Sequence, residues 1–191
     1  YTIASKVLQG LGVVRGDDGG IREADPITRA EVAALAYRIH TADVKDSKAN
    51  LYYDLQDAAF DDLGSVEWAK GYIGYAHNAE IVKGVGGKKF NPTSNITGYE
   101  VLAMALRAIG YGKNHEFEGA QWQINTAAWG RREGLLEGIS ALDQTRLDQP
   151  ATRGMVFQIL LNAVLHNDVQ FSYVQPDLYV GADRSMADGL H

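Results

Sequence analysis

The sequence contains no cysteine and only 4 prolines in 191 residues. The absence of cysteine excludes disulfide bonds, thiolate catalysis and cysteine-based zinc sites, although it leaves the cellular compartment open. No stretch approaches the roughly 18–20 consecutive apolar residues that a membrane-spanning helix needs, so no membrane span is predicted within these residues. A phosphate-binding glycine loop and a Gly-x-Ser-x-Gly motif are also missing. Several common enzyme classes are therefore disfavoured.

Positive charge is the second scarce feature. The chain has 18 Lys and Arg against 24 Asp and Glu, which gives a formal net charge of −6. This balance disfavours nucleic acid as a partner, because binding to nucleic acid depends on neutralising phosphates with Lys and Arg. An acidic ligand would have to be bound by local positive charge against an unfavourable overall field.

Three segments repeat one pattern, which consists of two apolar residues, one variable residue and a glycine, then a threonine that precedes a strongly apolar helical run. The threonine follows the glycine after 12 to 14 residues. The glycines lie 68 and 54 residues apart and the threonines 69 and 55, which indicates copies of one unit joined by different linkers. These residues are Gly16, Gly84 and Gly138, and Thr28, Thr97 and Thr152.

Each repeat is predicted to fold as a helix, a glycine-rich loop and a second helix. The glycine after the apolar pair is a natural C-cap, where a residue with positive φ ends the helix. The loops contain turn sequences, DDGG at 17–20 and VGGKKFNP at 85–92. The first helix is predicted over 68–82 in repeat 2 and 122–136 in repeat 3. In repeat 1 the spacing places the chain's first residue just inside this helix.

We predict repeats at residues 1–43, 58–111 and 117–166, which together form one structural domain. The first helix of repeat 1 is expected to be truncated. The tail, 167–191, has alternating character without the repeat signature. It is either a short strand pair or the beginning of a neighbouring module.

The second helix of every repeat carries apolar residues at i, i+3, i+4 and i+7, the period of one helix face. In repeats 2 and 3 further faces are apolar, which favours burial on most sides. Three such helices would share a core that one unit could hardly supply alone. The sequence therefore predicts a mainly α-helical fold with a short irregular or β-like tail. The repeated positions are Val32, Leu35, Ala36 and Ile39, then Val101, Met104, Ala105 and Ala108, then Val156, Ile159, Leu160 and Ala163.

The repeats resemble the S-layer homology motif, with the pattern F-x-D … W-A … G-[IV]-[IV]-x-G … F-x-P … I-T-R-A-E. Repeat 2 matches it as FDDLGSVEWAKGYIGYAHNAEIVKGVGGKKFNPTSNIT, and repeat 1 as GVVRGDDGGIREADPITRAE. Repeat 3 is more divergent but keeps the spacing. The resemblance covers residues 1–166, and three tandem copies make it specific.

This resemblance implies a pseudo-threefold bundle of the three motifs. Members of the family anchor exported proteins non-covalently to secondary cell-wall polysaccharides of Gram-positive bacteria, typically ones that bear a ketal-linked pyruvate. Their binding grooves lie between neighbouring motifs. The arginine of the TRAE element contacts the pyruvate carboxylate, and residues of the tryptophan-bearing helix frame the sugar.

Carried over to this chain, the family arginine is Arg29 in repeat 1 and Arg153 in repeat 3, whereas Gly98 takes its place in repeat 2. Repeat 3 has Met155 where the family glutamate is expected. The resemblance thus predicts two charged grooves, not three. The other glycan-binding candidates are Trp68, Trp122, Asp62, Thr28, Glu31, Thr152, Gly16 and Gly84.

Several of these candidates also have a structural interpretation. Thr28 and Glu31 form the pattern of a helix capping box, which accounts for both residues without a ligand. Capping does not account for Arg29, because a cation in the first turn is mildly opposed by the helix dipole. Free amides at a helix N-terminus and a planar guanidinium both suit a carboxylate. For Trp68 and Trp122 the alternatives are core packing and stacking on a sugar. For Asp62 they are capping of a helix or loop and binding of a sugar hydroxyl.

The leading hypothesis is a non-enzymatic module that anchors an exported protein to the cell wall by binding an acidic, pyruvylated polysaccharide. The alternative is a structural subunit of a surface layer or filament, in which the motifs mainly mediate self-association. No cofactor or metal is predicted, since the five histidines are scattered and the acidic segment 54–62 lacks an Asp-x-Asp-x-Asp-Gly loop. The expected location is extracellular, at the cell surface.

Overall fold

A computed structural model describes residues 1–16, 20–174 and 179–190. Parts of the predicted turn at 17–20 and of the tail therefore lie outside the described residues. The described chain is mainly helical with one two-stranded antiparallel sheet near its end, as the sequence predicts. The elements are α1 (Thr2–Gly10), α2 (Arg29–Thr41), α3 (Lys70–Asn78), α4 (Gly98–Ile109), α5 (Trp122–Arg132), α6 (Ala141–Gln144), α7 (Arg153–Leu165), β1 (Asn167–Phe171) and β2 (Tyr179–Ser185).

The first helices of the three repeats, α1, α3 and α5, are called the outer helices, and the second helices, α2, α4 and α7, are called the inner helices. Each outer helix packs against an inner helix of a different repeat. α3 packs against α2 of repeat 1, α5 against α4 of repeat 2, and α1 against α7 of repeat 3. Among the inner helices, α4 contacts both α2 and α7. Each outer helix therefore covers the inner helix of the preceding repeat, and α1 closes the ring. The boundaries predicted for the individual repeats stay a prediction.

One buried cluster runs through all three repeats, and its centre consists of the apolar faces of the inner helices. Val32, Val101 and Val156, which occupy equivalent positions, are all fully buried. Tyr75 and Trp129 on the outer helices are partly buried and pack against this cluster. The aligned apolar positions of the sequence thus meet in one core.

Backbone hydrogen bonds join each inner helix to the loop of the next repeat. The first helical amide of α2 donates to a carbonyl of repeat 2, that of α4 to repeat 3, and that of α7 back to repeat 1. The second amide of each helix does the same. The bonds of the first amides are Arg29 N to Ser94 O at 2.9 Å, Gly98 N to Gln149 O at 3.3 Å, and Arg153 N to Asp25 O at 2.7 Å.

The outer helices end earlier than predicted. A residue with positive φ follows each of them, at Gly12 (81°), Glu80 (61°) and Gly134 (76°). These positions lie four residues before the predicted capping glycines. The apolar pair between them, such as Ile81 and Val82, is buried in the loop and mimics a last helical turn. The predicted C-cap role of the later glycines is therefore wrong.

The first two of those later glycines serve close packing instead. Gly84 has no positive φ, and a Cβ there would lie 2.8 Å from the ring of Phe60 and 2.9 Å from the carbonyl oxygen of Lys89. At Gly16 the neighbouring backbone of Gly20 is 3.3 Å from the position of a Cβ.

The tail is a strand pair that packs against the helices. β1 and β2 pair with Val169 opposite Gly181 and Phe171 opposite Tyr179. Behind them, a 3₁₀ turn at Met186–Gly189 contributes Met186 to the core. Of the two alternatives for this segment, the strand pair is confirmed for its described residues.

The junction at Gly98 has no room for a side chain. A Cβ there would lie 2.9 Å from a methyl carbon of Leu147 and 3.0 Å from its Cα. We expect Gly98→Ala to lower the free energy of unfolding by about 1–3 kcal/mol, because backbone atoms would have to shift. Urea unfolding followed by circular dichroism measures this change.

Gly64→Ala is the matched control, because no atom lies within 4 Å of a Cβ built at Gly64 and its φ is not positive. We expect its stability to stay within about 0.5 kcal/mol of the parent. Equal stability of the two variants would contradict the close approach at Gly98.

Candidate functional site

Arg29 lies at the junction of repeats 1 and 2 and is only 6% exposed. Its Nε donates to the carbonyl oxygen of Phe90 at 2.8 Å, and Nη2 donates to that of Lys83 at 3.1 Å. Nη1 donates to the carboxylate of Glu100, with which Arg29 forms an ion pair. Burial lowers the pKa of Arg29, and the negative charge of Glu100 opposes this effect. The arginine thus ties one repeat to the next.

Arg153 takes the equivalent place between repeats 3 and 1, 8% exposed. Its Nε donates to the carbonyl oxygen of Ile21 at 2.8 Å, and Nη1 lies 3.4 Å from Glu31 Oε2. Because the Glu31 side chain is 40% exposed, against 23% for Glu100, this ion pair is looser and more hydrated.

The third junction, between repeats 2 and 3, has lost both members of the ion pair. Gly98 replaces the arginine, and Met155 replaces the glutamate of the following repeat. Leu147 fills the space beside Gly98 and is 2% exposed, while Met155 is 4% exposed. This junction is therefore apolar and closed, in contrast to the two junctions that carry arginine.

The helix N-termini do not offer amides to a ligand. The capping boxes of Thr28 with Glu31 and of Thr97 with Glu100 are confirmed, and Thr152 likewise accepts a hydrogen bond from the third amide of α7. Loop carbonyls of the next repeat bind the first and second amides. The expectation that free amides at these termini suit an anion is therefore wrong, because the packing of the repeats engages them.

Two cavities open beside the two arginines. The Arg29 cavity, of about 1050 Å³, is lined by residues that include Arg29, Lys83, Glu100, Arg107 and Trp122. Each of the three repeats contributes to it. The tryptophan comes from repeat 3, because α5 packs against α4.

The Arg153 cavity is smaller, at about 310 Å³, and is lined by residues that include Arg153, Glu31, Arg38 and Trp68. Trp68 is 56% exposed. An indole so exposed contributes little to the core and is available to a ligand. Each cavity thus combines the arginine of one repeat with the tryptophan of another.

The remaining candidates have mainly structural contacts. Asp62 accepts hydrogen bonds from the backbone amides of Phe90 at 3.0 Å and of Asn91 at 2.9 Å, so its carboxylate closes the loop beside Arg29. Gly84 lines the Arg29 cavity, while Gly16 is not among the lining residues of the described cavities. Their roles in glycan binding stay predictions.

Sequence reasoning missed Lys83 and Arg107, which also line the Arg29 cavity. A signal for Arg107 was present, since it stands 69 residues after Arg38, the spacing that separates Thr28 from Thr97. Lys83 is the variable residue between the apolar pair and the glycine, and its role depends on the fold of the loop.

The central part of the chain matches a known protein family. Residues 59–102 match the model of the S-layer homology domain. The chain carries an S-layer homology domain. That the flanking repeats are further copies of this domain rests on their sequence spacing and on the repeated helix and loop contacts.

Three relatives of this chain carry the names of cell-wall or surface proteins. The chain is 31% identical over 160 residues to the Middle cell wall protein of Brevibacillus brevis. This match covers 83% of the chain and 14% of the relative. The chain is 36% identical over 107 residues to the Surface layer protein of Brevibacillus choshinensis. This match covers 56% of the chain and 9% of the relative. The Cell surface protein of Thermoanaerobacter kivui is 28% identical to the chain over 141 residues. This match covers 73% of the chain and 17% of the relative.

This chain therefore spans less than a fifth of the length of these relatives. The S-layer homology domain and these relatives indicate a location at the cell surface or in the cell wall. They support a role in wall anchoring or in surface-layer structure. None of the described helices is both long and apolar enough to cross a membrane.

The two ion pairs should differ in their contribution to stability. Glu100→Gln keeps a side chain that a capping box accepts but removes the charge opposite buried Arg29. We expect it to lower the free energy of unfolding by about 3 kcal/mol, because it leaves a buried guanidinium without its counterion. Urea unfolding measures the loss.

Glu31→Gln is the matched control, since Glu31 has the same position in its own capping box. Its more exposed pair with Arg153 should cost less than about 1 kcal/mol to remove. If both variants lose the same stability, the Arg29–Glu100 pair is not the stronger of the two.

Proposed function

We propose that this domain anchors its protein to the cell wall by binding an acidic secondary cell-wall polysaccharide in the Arg29 and Arg153 cavities. The observation that carries the proposal is the pairing in each cavity of a buried arginine with a tryptophan from a different repeat. A glycan with carboxylate groups, such as ketal-linked pyruvate, matches both components. The family match and the surface-protein relatives support a wall ligand of this kind.

The arginines supply the polar part of the site. A guanidinium has five N–H groups in a planar fork that fits a carboxylate. Arg29 uses Nε, one N–H of Nη1 and one of Nη2 for bonds within the described residues. The remaining N–H groups of Nη1 and Nη2 can donate to a ligand carboxylate. Because those three bonds already orient the side chain, little rotational freedom is lost on binding.

The tryptophans supply the apolar part. A pyranose ring has faces of C–H groups that can pack on an indole, and aromatic residues dominate the energetics of many binding surfaces. Trp68 is an exposed lining residue of the Arg153 cavity, and Trp122 is a partly buried lining residue of the Arg29 cavity. A sugar placed between tryptophan and arginine would contact both with opposite sides.

Binding to polysaccharide purified from the wall should depend on its carboxylates. We expect the parent protein to bind the native polysaccharide, and to bind it at least tenfold less tightly after methyl esterification of the carboxylates, since charge-assisted hydrogen bonds are lost. Raising the salt concentration from 0.05 to about 0.5 M should also weaken binding to the native form. Isothermal titration calorimetry measures both effects, and equal affinity for the two forms would overturn the proposal.

Replacing the tryptophans tests the apolar part of the site. We expect Trp122→Ala and Trp68→Ala each to weaken binding, because each removes a stacking surface. The variant of the cavity that contributes more affinity should bind about tenfold less tightly than the parent. Ile124→Ala is the matched control, since Ile124 is an exposed apolar residue on α5 that lines neither cavity. Unchanged affinity in the double tryptophan variant would contradict the proposed site.

Self-association in a surface layer is the second candidate function, favoured by the name of the Brevibacillus choshinensis relative. Apolar side chains on α1 are also exposed, with Ile3 78% and Val7 40% accessible. Sedimentation velocity without polysaccharide separates the two functions. A mass that rises with protein concentration supports assembly, whereas a monomer that binds the polysaccharide supports anchoring.

A further inference from the structure

Arg38 and Arg107 occupy the same position on the inner helices of repeats 1 and 2, and each lines one of the two cavities. Arg38 has a carboxylate partner. Its Nε and Nη2 donate to the two oxygens of Asp46 at 2.9 and 3.0 Å, and Nη1 donates to the carbonyl oxygen of Val13 at 3.1 Å. Arg15, also at the Arg153 cavity, shares the same Asp46 carboxylate at 3.0 Å.

Arg107 has no such partner. Its Nη2 donates to the carbonyl oxygen of Phe117 at 3.3 Å, and its guanidinium lies 5.9 Å from the centre of the Phe117 ring. Within the described part of the chain no carboxylate forms an ion pair with it. Glu118 acts on Arg107 only through its more distant charge, and its carboxylate contacts His115 at 2.8 Å. A mostly buried cation without a bound counterion is unfavourable unless something else compensates it.

The Arg29 cavity also has more cationic side chains without an ion-pair partner than the Arg153 cavity has. The Arg29 cavity is lined by five cationic and two acidic side chains. Glu100 neutralises Arg29, and Asp61 binds Lys89 at 2.6 Å. Lys83, Lys88 and Arg107 form no ion pair among the described residues. The uncompensated positive charge of this cavity therefore belongs to these three residues and not to Arg29, the arginine that matches the family motif.

We propose that Arg107 binds an acidic group of the glycan in the Arg29 cavity, and that this cavity provides most of the affinity. The inference rests on the proposed function. Arg29 is already paired with Glu100, so a ligand carboxylate finds more net attraction at Arg107. In the Arg153 cavity Arg15 and Arg38 share Asp46 and Arg153 is paired with Glu31, so every arginine there already has a carboxylate partner.

Arg107→Gln tests the inference, because it removes the charge and keeps a polar side chain. We expect about tenfold weaker binding of the native wall polysaccharide at low salt, in line with a hydrogen bond to a charged group. Against the methyl-esterified polysaccharide the variant and the parent should bind alike. Arg107→Lys, which keeps the charge, should stay within about threefold of the parent.

One substitution controls for net charge. Arg131→Gln removes an exposed arginine that lines neither cavity. It should bind the native polysaccharide within about twofold of the parent, since the charge of this side chain is screened by solvent. Circular dichroism at 222 nm establishes that each variant is folded before titration.

Glu118→Gln provides a test that does not depend on the folding of Arg107 variants. Its carboxylate is partly exposed and opposes the positive charge of Arg107. Removing that charge should strengthen binding of the native polysaccharide about twofold to threefold at low salt and leave the esterified form unaffected.

The outcomes separate the two proposals. A parent that binds the polysaccharide together with an Arg107→Gln variant that binds it equally well overturns the role of Arg107 and leaves the anchoring function intact. A loss of the same size for native and esterified polysaccharide also overturns it, because the residue would then act through structure alone. A parent that binds neither form removes the anchoring function, and the inference fails with it.

Discussion

The hydrogen bonds between each inner helix and the loop of the next repeat are the constraint on which the rest of the structure depends. The first amides of a helix have no partner within the helix, and burying them unpaired is costly. In this chain the carbonyls that pair with them come from a different repeat, and the third repeat returns to the first. Each helix start therefore requires its neighbour, so the three repeats are expected to fold as a unit.

The same junction explains why arginine and glutamate are kept or lost together. The side chain at the first helical position lies directly beside the loop of the next repeat and its capping glutamate. Removing one member of a buried pair leaves an uncompensated charge, whereas replacing both with apolar groups can be nearly neutral. Gly98 and Met155 are such a double replacement, and Leu147 occupies the vacated space. Substitution at one junction is thus coupled across two repeats.

Much of the fold could be predicted from the sequence, because its signals are local. The Thr28 and Thr97 capping boxes and the apolar period of the inner helices are properties of short segments. The helix ends were misplaced because buried loop residues such as Ile81 and Val82 have the composition of a helical turn. The partners of Arg29 and of Trp122 depend on which repeats meet, and no local pattern contains that information.

The ring arrangement also determines what a functional unit can be. In the Arg29 cavity the arginine belongs to repeat 1, Lys83 and Arg107 belong to repeat 2, and Trp122 belongs to repeat 3. The segment 59–102, which matches the family model, contains neither Arg29 nor Arg107 nor Trp122. One repeat therefore supplies part of two cavities and the whole of none. Because the backbone contacts repeat at each junction while the charges do not, differences between cavities arise from side chains such as Asp46, whose counterpart is absent at Arg107.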